Sequence, residues 1–279
     1  MTDHPSTALV DPNPSPETLT PTIVAGARAL ADRWDAQQTG YIRHRAARFD
    51  TIARVVAGVC AGVAEPRILD LAGGTGSLAL RVLREIPHAR AVVADKDPVL
   101  LAIAADLSDP RLATAAVDLA HRDWAAHPLI ADGPFDAVVS STALHWLQPG
   151  VLADVYRRLP ALLRPGGIVL NGDHLAYSSH HESVLARIAR DDDATVQRET
   201  FAGGADTWDQ WWQAVAETPR YASALERRRA VWGPELHVAP PLVTLGYHLE
   251  CLRSAGFAET GTVWQYLDDH VLYGVTATD

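Results

Sequence analysis

Five short apolar runs, spaced between residues 67 and 173, limit the folds open to this sequence more than any other feature. The runs are RILDL (67–71), RAVVAD (90–95), ATAAVDL (113–119), FDAVVSS (135–141) and GGIVLNGD (166–173). Each is apolar throughout rather than alternating, which is typical of a parallel strand buried on both faces. Turns and helix-like segments separate the runs, so the sequence predicts an α/β fold with a doubly wound sheet. Such sheets bind ligands at the carboxyl ends of their strands.

The segments on either side of these runs predict one enzyme-sized domain, residues 21–279, preceded by a disordered tail. The tail is the Pro-, Thr- and Asp-rich stretch 1–20, and helical spacing of apolar residues predicts two helices over 22–61. The stretch 174–238 holds four of the eight tryptophans, which predicts a helical insertion that acts as a lid or cap. Two alternatives are equally open: the aromatic rings could fill the core of a helical subdomain, or they could form a homodimer interface. The alternating residues of AETGTVWQYL and HVLYGVTA predict an antiparallel hairpin on the sheet edge.

Charge and hydropathy argue against several classes of partner. The net charge of −10 and the pI near 5.6 oppose nucleic-acid binding, which needs clustered lysine and arginine. The run Arg227–Arg229 is the only basic cluster, and a solvated helix face is its simplest interpretation. No stretch of about 18 apolar residues is present to span a membrane. Cys60 and Cys251 stand far apart in apolar helical patterns, which indicates core thiols of a cytoplasmic protein rather than a disulfide or a metal site.

The stretch LDLAGGTGSLAL (69–80) places an acid and three glycines between the first run and a helix. Glycines there let the backbone approach a ligand closely, and the helix begins with unpaired N–H groups. Gly74 and Gly76 open a G-x-G-x-x-A pattern, and Asp95 follows about 20 residues later, as ribose binding in a dinucleotide site requires. The turn alone therefore fits either a nicotinamide dinucleotide or a methyl-donating sulfonium nucleoside.

Acids at the strand ends favour the sulfonium nucleoside. Asp70 ends the first run just before the turn, where its carboxylate would repel a pyrophosphate by roughly 1–4 kcal/mol at about 4 Å. The same carboxylate would attract an ammonium or a sulfonium group. Asp118 adds an acid at the end of the third run, where it could accept a hydrogen bond from an adenine amine. Three acids on neighbouring strands, Asp70, Asp95 and Asp118, suit a cationic nucleoside.

These residues resemble the motifs of class I S-adenosylmethionine-dependent methyltransferases, in particular the small-molecule, trans-aconitate methyltransferase-like type. ILDLAGGTGSLA resembles the first motif, VVADKDPVLLAIA the second-strand motif, and FDAVVSSTALHWL and LPALLRPGGIVL those around strands four and five. LRSAGF before the hairpin resembles the usual ending, and the resemblance spans residues 25–277. It implies a Rossmann-like seven-stranded sheet of order 3-2-1-4-5-7-6 with the last strand antiparallel.

By this resemblance, a set of residues would hold S-adenosylmethionine: Asp70, Ala72, Gly73, Gly74, Gly76, Asp95, Lys96, Asp118, Leu119 and Ser140. Asp70 would orient the methionine amino group, the glycines would pass under the cofactor, and Asp95 would bind both ribose hydroxyls. Lys96 would lie against adenine, and Asp118 with the residue after it would frame the adenine edge. Ala72 departs from the family, which usually has its first glycine at that position.

Methyl transfer from a sulfonium needs alignment and exclusion of water, and a base only where the acceptor must lose a proton. His145 follows the fourth run at the mouth of the expected site and is the candidate catalytic base. Trp146, His174 and Tyr41 are candidates for the substrate pocket, although a packed core position is the favoured interpretation of Trp146. The stretch 180–182, with two histidines and a glutamate, lacks a further ligand at a recognisable spacing, so no metal site is predicted.

Two other functions stay open at this point. A nicotinamide-dependent oxidoreductase could use the same turn, but its commonest one-domain form needs a tyrosine four residues before a lysine, and the only lysine, Lys96, has Val92 there. A non-catalytic protein could keep the fold and bind a metabolite or a partner chain. Within the methyltransferases, residues 140–143 read Ser-Ser-Thr-Ala rather than the Asn-Pro-Pro-aromatic sequence of amino-methylating DNA enzymes, so a small-molecule acceptor is expected. The methylated atom, O, N or C, is left open.

Overall fold

The computed structural model describes residues 19–178, 183–233, 239–241 and 243–278. Its helices are α1 (Pro21–Gln38), α2 (Arg45–Val59), α3 (Ser77–Glu85), α4 (Pro98–Asp106), α5 (Pro128–Ala131), α6 (Pro149–Leu162), α7 (Val184–Ala202), α8 (Trp208–Ala216), α9 (Ala222–Trp232) and α10 (Leu245–Ser254). Within these residues, none of the helices combines the length and the apolar character needed to cross a membrane. All but the last two residues of the predicted tail 1–20 lie outside the described part of the chain.

Among the described residues, the strands form a seven-stranded sheet in the order β3-β2-β1-β4-β5-β7-β6. The strands are β1 (Arg67–Leu71), β2 (Arg90–Asp95), β3 (Leu112–Ala116), β4 (Phe135–Ser141), β5 (Leu163–His174), β6 (Glu259–Tyr266) and β7 (Asp269–Val275). Strands β1 to β5 pair in parallel, and β7 pairs antiparallel with both β5 and β6. This order, with its antiparallel last strand, confirms the predicted fold. Two of the apolar runs have other bounds than the strands they predict: β3 ends at Ala116, before the run 113–119 does, and β5 extends beyond both ends of the run 166–173.

The two faces of the sheet carry separate cores, as expected for parallel strands that are apolar on both sides. On one face, Leu69 of β1 and Val169 of β5 pack in a cluster with Leu252 of α10. On the other face, Ile68 of β1 packs in a cluster with Ile52 of α2. Helices therefore cover both faces, and the carboxyl ends of the strands are left as the place for a ligand.

A third core lies between the insertion and the N-terminal helix. Trp211 of α8 is fully buried and donates a hydrogen bond from Nε1 to the Leu30 carbonyl of α1 (3.0 Å). Tyr221 is buried in the same cluster, which also includes Val99 of α4. Trp208, by contrast, is 41% exposed. Some aromatic rings of the insertion are therefore buried and others are exposed to solvent. The buried rings pack α8 against α1 and α4.

A buried arginine fastens α7 to the rest of the fold. Arg43, in the loop between α1 and α2, forms ion pairs with Asp192 and Asp193 of α7 and with Asp268 in the turn between β6 and β7. Its Nη1 also donates to the Ala189 carbonyl of α7 (3.2 Å). A charge removed from water persists only when it is paired and hydrogen-bonded in this way. The insertion, the N-terminal helices and the hairpin thus meet near the carboxyl end of β5.

Candidate functional site

The turn between β1 and α3 is shaped by backbone conformations that favour glycine. Ala72, Gly74 and Gly76 have positive φ values of 52°, 57° and 80°, and Gly76 is the N-cap of α3 without a side-chain cap. A helix start of this kind presents backbone N–H groups to a ligand. The left-handed conformation of Ala72 costs about 1–2 kcal/mol, which accounts for the glycine that the family usually has there.

Asp70 lies buried beneath this turn. Its Oδ2 accepts a hydrogen bond from the backbone N–H of Ala79 in α3 (3.0 Å), and no described residue hydrogen-bonds to its Oδ1. Burial, with Asp95 as a nearby like charge, raises the pKa of Asp70 to about 7. The backbone passes so close that a Cβ on Gly73 would lie 2.6 Å from the Asp70 Cγ. The carboxyl group therefore braces the turn with one oxygen and keeps the other for a further donor.

Asp95, at the end of β2, connects the turn to the neighbouring strand. Its Oδ2 accepts a hydrogen bond from the N–H of Gly74 (2.9 Å), and its Oδ1 accepts one from the N–H of Asp97 (2.8 Å). Burial raises the pKa of Asp95 to about 6, and the nearby Asp97 carboxylate adds to the shift. Each carboxylate oxygen can accept a second hydrogen bond, so the group suits the hydroxyl donors of a ribose.

Lys96 and Asp118 lie side by side beyond the ends of β2 and β3. The Lys96 Nζ is 3.7 Å from the Asp118 Oδ2, and the Asp118 Oδ1 accepts a hydrogen bond from the N–H of Ala120 (2.9 Å). Leu119 is buried in the core of the sheet. Because β3 ends at Ala116, the apolar run 113–119 continues beyond the strand, and Asp118 stands in the loop just after the strand end. Lys96, Asp118 and Leu119 thus lie at the edge where the resemblance puts adenine.

These residues fit S-adenosylmethionine better than a dinucleotide. The Gly73 backbone forms a close cradle over a buried carboxyl group, and the unpartnered Asp70 Oδ1 can accept a hydrogen bond from an ammonium group. A pyrophosphate at the same turn would instead be repelled by the Asp70 carboxylate. Ser140, a further predicted cofactor residue, is buried, and its Oγ donates to the Leu71 carbonyl (2.8 Å). That hydroxyl is therefore used within the sheet, between β1 and β4.

The cradle gives a first prediction. Replacing Gly73 with alanine should destabilise the protein by about 1–3 kcal/mol and weaken binding of S-adenosylhomocysteine, the product of the cofactor. The reason is that the new Cβ would lie 2.6–2.9 Å from three atoms of the Asp70 carboxyl group. Thermal melting and calorimetric titration measure the two effects. Gly58→Ala in α2 is the matched control, because nothing lies within 4 Å of its new Cβ. A Gly73→Ala variant with wild-type stability and affinity would contradict the prediction.

The raised pKa values predict that the affinity for S-adenosylhomocysteine increases with pH. An ammonium group beside Asp70 and hydroxyl donors on Asp95 favour the charged carboxylates, so binding releases protons wherever the free protein still holds them. The affinity should rise from about pH 5 to about pH 7, by at most about tenfold per pH unit for each group, and then level off. Calorimetry in two buffers of different ionisation enthalpy counts the released protons. An affinity that is constant or falls over this range would refute the prediction.

His145 and Asp173 form an acid–base pair beyond the end of β4 and near the end of β5. The His145 Nδ1 lies 2.7 Å from the Asp173 Oδ1, and the Asp173 Oδ2 accepts a hydrogen bond from the N–H of His145 (3.1 Å). Burial would raise the pKa of Asp173, but the neighbouring His145 and then Arg48 hold it at about 2. The carboxylate therefore stays charged and fixes the imidazole ring. Because Nδ1 is engaged, Nε2 is the ring atom left for an acceptor, and the side chain is 15% exposed.

A second buried arginine, Arg48 of α2, lies behind this pair. It donates to the Thr142 Oγ1 (2.7 Å) and to the Gly172 carbonyl (3.1 Å), and it forms an ion pair with the buried Asp269. His174 lies 3.5 Å from the Arg48 Nη2, and burial followed by the charge of Arg48 lowers the pKa of His174 to about 4. His174 is therefore neutral at neutral pH. Arg48 holds the ends of β4, β5 and β7 together, so the pair stands on a fixed frame.

Trp146 lies next to the pair and is 50% exposed. Its ring centroid is 5.3 Å from that of His145, and the two rings are tilted by 37°. The favoured interpretation of Trp146 as a packed core residue is therefore wrong. The physical reason is that the 3₁₀ turn Leu144–Trp146 buries Leu144 and turns the tryptophan outward. The indole is thus available to a substrate pocket beside His145.

Two further predictions concern Tyr41 and the stretch 180–182. Tyr41 is 36% exposed and contacts Phe201 of α7, with 5.4 Å between the ring centroids. It therefore lies against the insertion. The stretch 180–182 lies outside the described residues. Elsewhere in the described chain, no group of three or more His, Cys, Asp or Glu side chains is placed to hold a metal ion.

The sequence interpretation missed two residues of this site, Asp173 and Arg48. Asp173 comes at the end of the fifth run, as Asp70 and Asp95 come at the ends of theirs, so the same strand-end signal could have identified it. Arg48 occurs in an ordinary helical pattern of α2. Nothing in its local sequence indicates that it reaches β5 and Asp269.

Part of the chain matches known methyltransferases in sequence. Residues 68–167 match a family model described as a methyltransferase domain. The chain is 36% identical over 106 residues to the ubiquinone/menaquinone biosynthesis C-methyltransferase UbiE of Dinoroseobacter shibae, covering 37% of this chain and 40% of that protein. It is 33% identical over 146 residues to the biotin biosynthesis bifunctional protein BioCD of Bordetella avium, covering 50% of this chain and 29% of that protein. The chain thus spans less than half the length of these curated relatives.

Solved structures share the fold at low sequence identity. The sugar N-methyltransferase KedS8 of a Streptoalloteichus species matches with a TM-score of 0.54 at 14% identity, covering 88% of this chain and 92% of that chain. An O-methyltransferase family protein of Burkholderia thailandensis matches with a TM-score of 0.52 at 17% identity, covering 92% of this chain and 71% of that chain. These matches do not confirm the trans-aconitate methyltransferase-like subtype. Residues 68–167 are therefore a methyltransferase domain, built on the fold of the class I S-adenosylmethionine-dependent methyltransferases that the sequence motifs resemble.

Proposed function

We propose that this chain is an S-adenosylmethionine-dependent methyltransferase that methylates a hydroxyl oxygen of a small molecule, with His145 as the general base. The observation that carries the proposal is the pairing of the His145 Nδ1 with the charged, buried Asp173 at 2.7 Å. A carboxylate on one ring nitrogen fixes the orientation of a histidine and stabilises its protonated form, which prepares the other nitrogen to take a proton.

In this proposal, one group of residues binds the cofactor and another takes the proton of the acceptor. When bound, S-adenosylmethionine would supply a methyl group on a sulfonium that is already activated for displacement. Asp70 would hold its amino group through Oδ1, and Asp95 would hold its ribose. The His145 Nε2 would accept the proton of the acceptor hydroxyl as that oxygen takes the methyl group, and Asp173 would stabilise the resulting imidazolium. The proton would then pass from Nε2 to solvent.

The base distinguishes between classes of acceptor. A carboxylate is already anionic, so an acceptor of the trans-aconitate type would have no use for the pair of His145 and Asp173. A phenolic hydroxyl has a pKa of about 10 and must lose its proton, which a positioned imidazole can assist. A neutral amine can attack first and lose its proton afterwards, so it needs a base less. The oriented pair therefore favours a hydroxyl acceptor.

Charge and shape favour a small acceptor. The net charge of −10 opposes nucleic acid as a substrate. The half-exposed Trp146 offers an aromatic surface beside His145, which suits a planar, largely apolar molecule. The similar proteins include C-, N- and O-methyltransferases by name, so the choice of oxygen rests on the acid–base pair alone.

Transfer of a labelled methyl group to a set of phenols and matching carboxylic acids tests the proposal. We expect product from phenols, and S-adenosylhomocysteine binding with no response to NADH. Transfer to carboxylates alone would overturn the hydroxyl assignment. Binding of S-adenosylhomocysteine without transfer to any acceptor would favour the non-catalytic binding protein, and binding of NADH in its place would favour the oxidoreductase.

A further inference from the structure

The carboxylate at the start of α4 has partners that the proposed reaction does not use. Asp97 is buried there, and its Oδ1 caps the helix by accepting hydrogen bonds from its first N–H groups, with Val99 at 2.9 Å. Its Oδ2 accepts hydrogen bonds from the Arg228 Nε (2.6 Å) and the Trp232 Nε1 (2.9 Å) of α9. One carboxylate therefore both caps α4 and holds the end of α9 from the insertion.

The same tryptophan lies against the lysine beside this carboxylate. The Lys96 Nζ is 4.1 Å from the centroid of the Trp232 ring and 3.7 Å from the Asp118 Oδ2. The guanidinium carbon of Arg228 is 3.8 Å from the ring centroid of Trp212 and 5.8 Å from that of Trp232. Helices α8 and α9 thus bring two indoles and a guanidinium group to the edge that Lys96 and Asp118 form.

Only one arginine of the basic run takes part in this contact. The run Arg227–Arg229 is predicted as a solvated helix face, which is wrong for Arg228, whose side chain is 13% exposed and paired with Asp97. Arg227, at the surface, donates to the Ser223 Oγ (2.8 Å) of its own helix. A guanidinium with both a carboxylate and an aromatic partner is held firmly. The burial of this single side chain indicates a specific docking contact rather than a general charge effect.

We infer that Trp232, held on Asp97 together with Arg228, forms a wall of the S-adenosylmethionine site at its adenine end and contributes to cofactor affinity. The inference rests on the proposed function, with adenine beside Lys96 as the resemblance to the methyltransferases implies. Asp97 fixes the indole in contact with that lysine, and an indole face is a good partner for a purine ring. Because the hydrogen bonds of Asp97 with Arg228 and Trp232 join α9 to the start of α4, the docked position of the insertion is coupled to cofactor binding.

Calorimetric titration with S-adenosylhomocysteine tests the inference. Trp232→Ala should weaken binding by about tenfold, the size of a stack between a base and an aromatic ring, and Trp232→Phe should recover most of the loss. Asp97→Asn should weaken it by about three- to fivefold, because the single amide oxygen can still cap α4, whereas the amide NH2 group that then faces α9 cannot accept from its two donors. Arg228→Met should weaken binding as much as Asp97→Asn does. Arg227→Met, a change at the neighbouring exposed arginine, should leave the affinity within about twofold of that of the wild type.

Thermal melting identifies a variant that does not fold. If Trp232→Ala does not fold, the inference is tested with Asp97→Asn, which keeps the helix cap. Wild-type affinity in both Trp232→Ala and Asp97→Asn overturns the inference. Equal losses in Arg227→Met and Arg228→Met also overturn it, because they would reflect charge alone. A wild-type protein that does not bind S-adenosylhomocysteine would instead refute the proposed function, so the two failures are distinguishable.

Discussion

Replacing His145 with glutamine should lower kcat for methyl transfer to a hydroxyl by about 10²–10⁴-fold, while S-adenosylhomocysteine binding stays within about twofold of wild type. Glutamine can still donate a hydrogen bond to the Asp173 carboxylate, which lies 2.7 Å from the imidazole in the native protein. It cannot accept a proton at neutral pH. The loss therefore isolates proton transfer from cofactor binding, and it is measured as the initial rate with a labelled methyl donor and a phenolic acceptor.

Asp173→Asn is the second arm of this prediction. It should lower kcat by at least about 10²-fold, because the imidazolium then loses its charged partner, and the double variant should lose little more than His145→Gln alone. The exposed His88 provides the matched control, His88→Gln, with wild-type kcat. Should His145→Gln retain wild-type kcat, alignment alone would account for the reaction and the base would be excluded.

The strands were predictable because burial on both faces leaves a continuous apolar run. The runs 67–71, 90–95 and 135–141 coincide with β1, β2 and β4. The run 113–119 continues past β3 for a physical reason. Its neighbour β2 ends at Asp95, which is paired with Ala116, so the next residues have no strand to pair with. Their apolar side chains still enter the core, as Leu119 does, and periodicity alone cannot separate the two cases.

The approach of the strand-end acids to one another was predictable for a related reason, whereas the contacts of Asp97 with α9 and of Arg48 with Asp269 were not. Parallel strands end at one edge of the sheet, so acids at the ends of successive runs must come together. The contacts of Asp97 with Arg228 and of Arg48 with Asp269 join residues 131 and 221 positions apart. A helical pattern shows which face of α2 or α9 is polar, but it does not identify the carboxylate that the face meets. Those partners follow from tertiary packing alone.

Replacing Asp95 with alanine should weaken S-adenosylhomocysteine binding by about 100-fold, because a hydrogen bond to a charged group contributes about 1.5–3 kcal/mol and several are lost together. The Gly74 N–H, 2.9 Å from the Asp95 Oδ2, would lose its acceptor, and so would the Asp97 N–H. The ribose hydroxyls would lose theirs at the same time. The turn would then be both looser and without its ribose partner, so the effect exceeds that of any single contact.

Two comparison variants separate these causes. Asp95→Asn keeps one acceptor for the turn but removes the charge, so its loss should be intermediate, about tenfold. Asp132→Ala removes an acid whose side chain is 82% exposed, and it should bind as wild type does. Titration of all three with S-adenosylhomocysteine and with NADH measures the outcome. Unchanged affinity in Asp95→Ala would refute the assignment of Asp95 to the ribose. The assignments of Asp70 and Lys96 would then be refuted too, because they were inferred from the same resemblance.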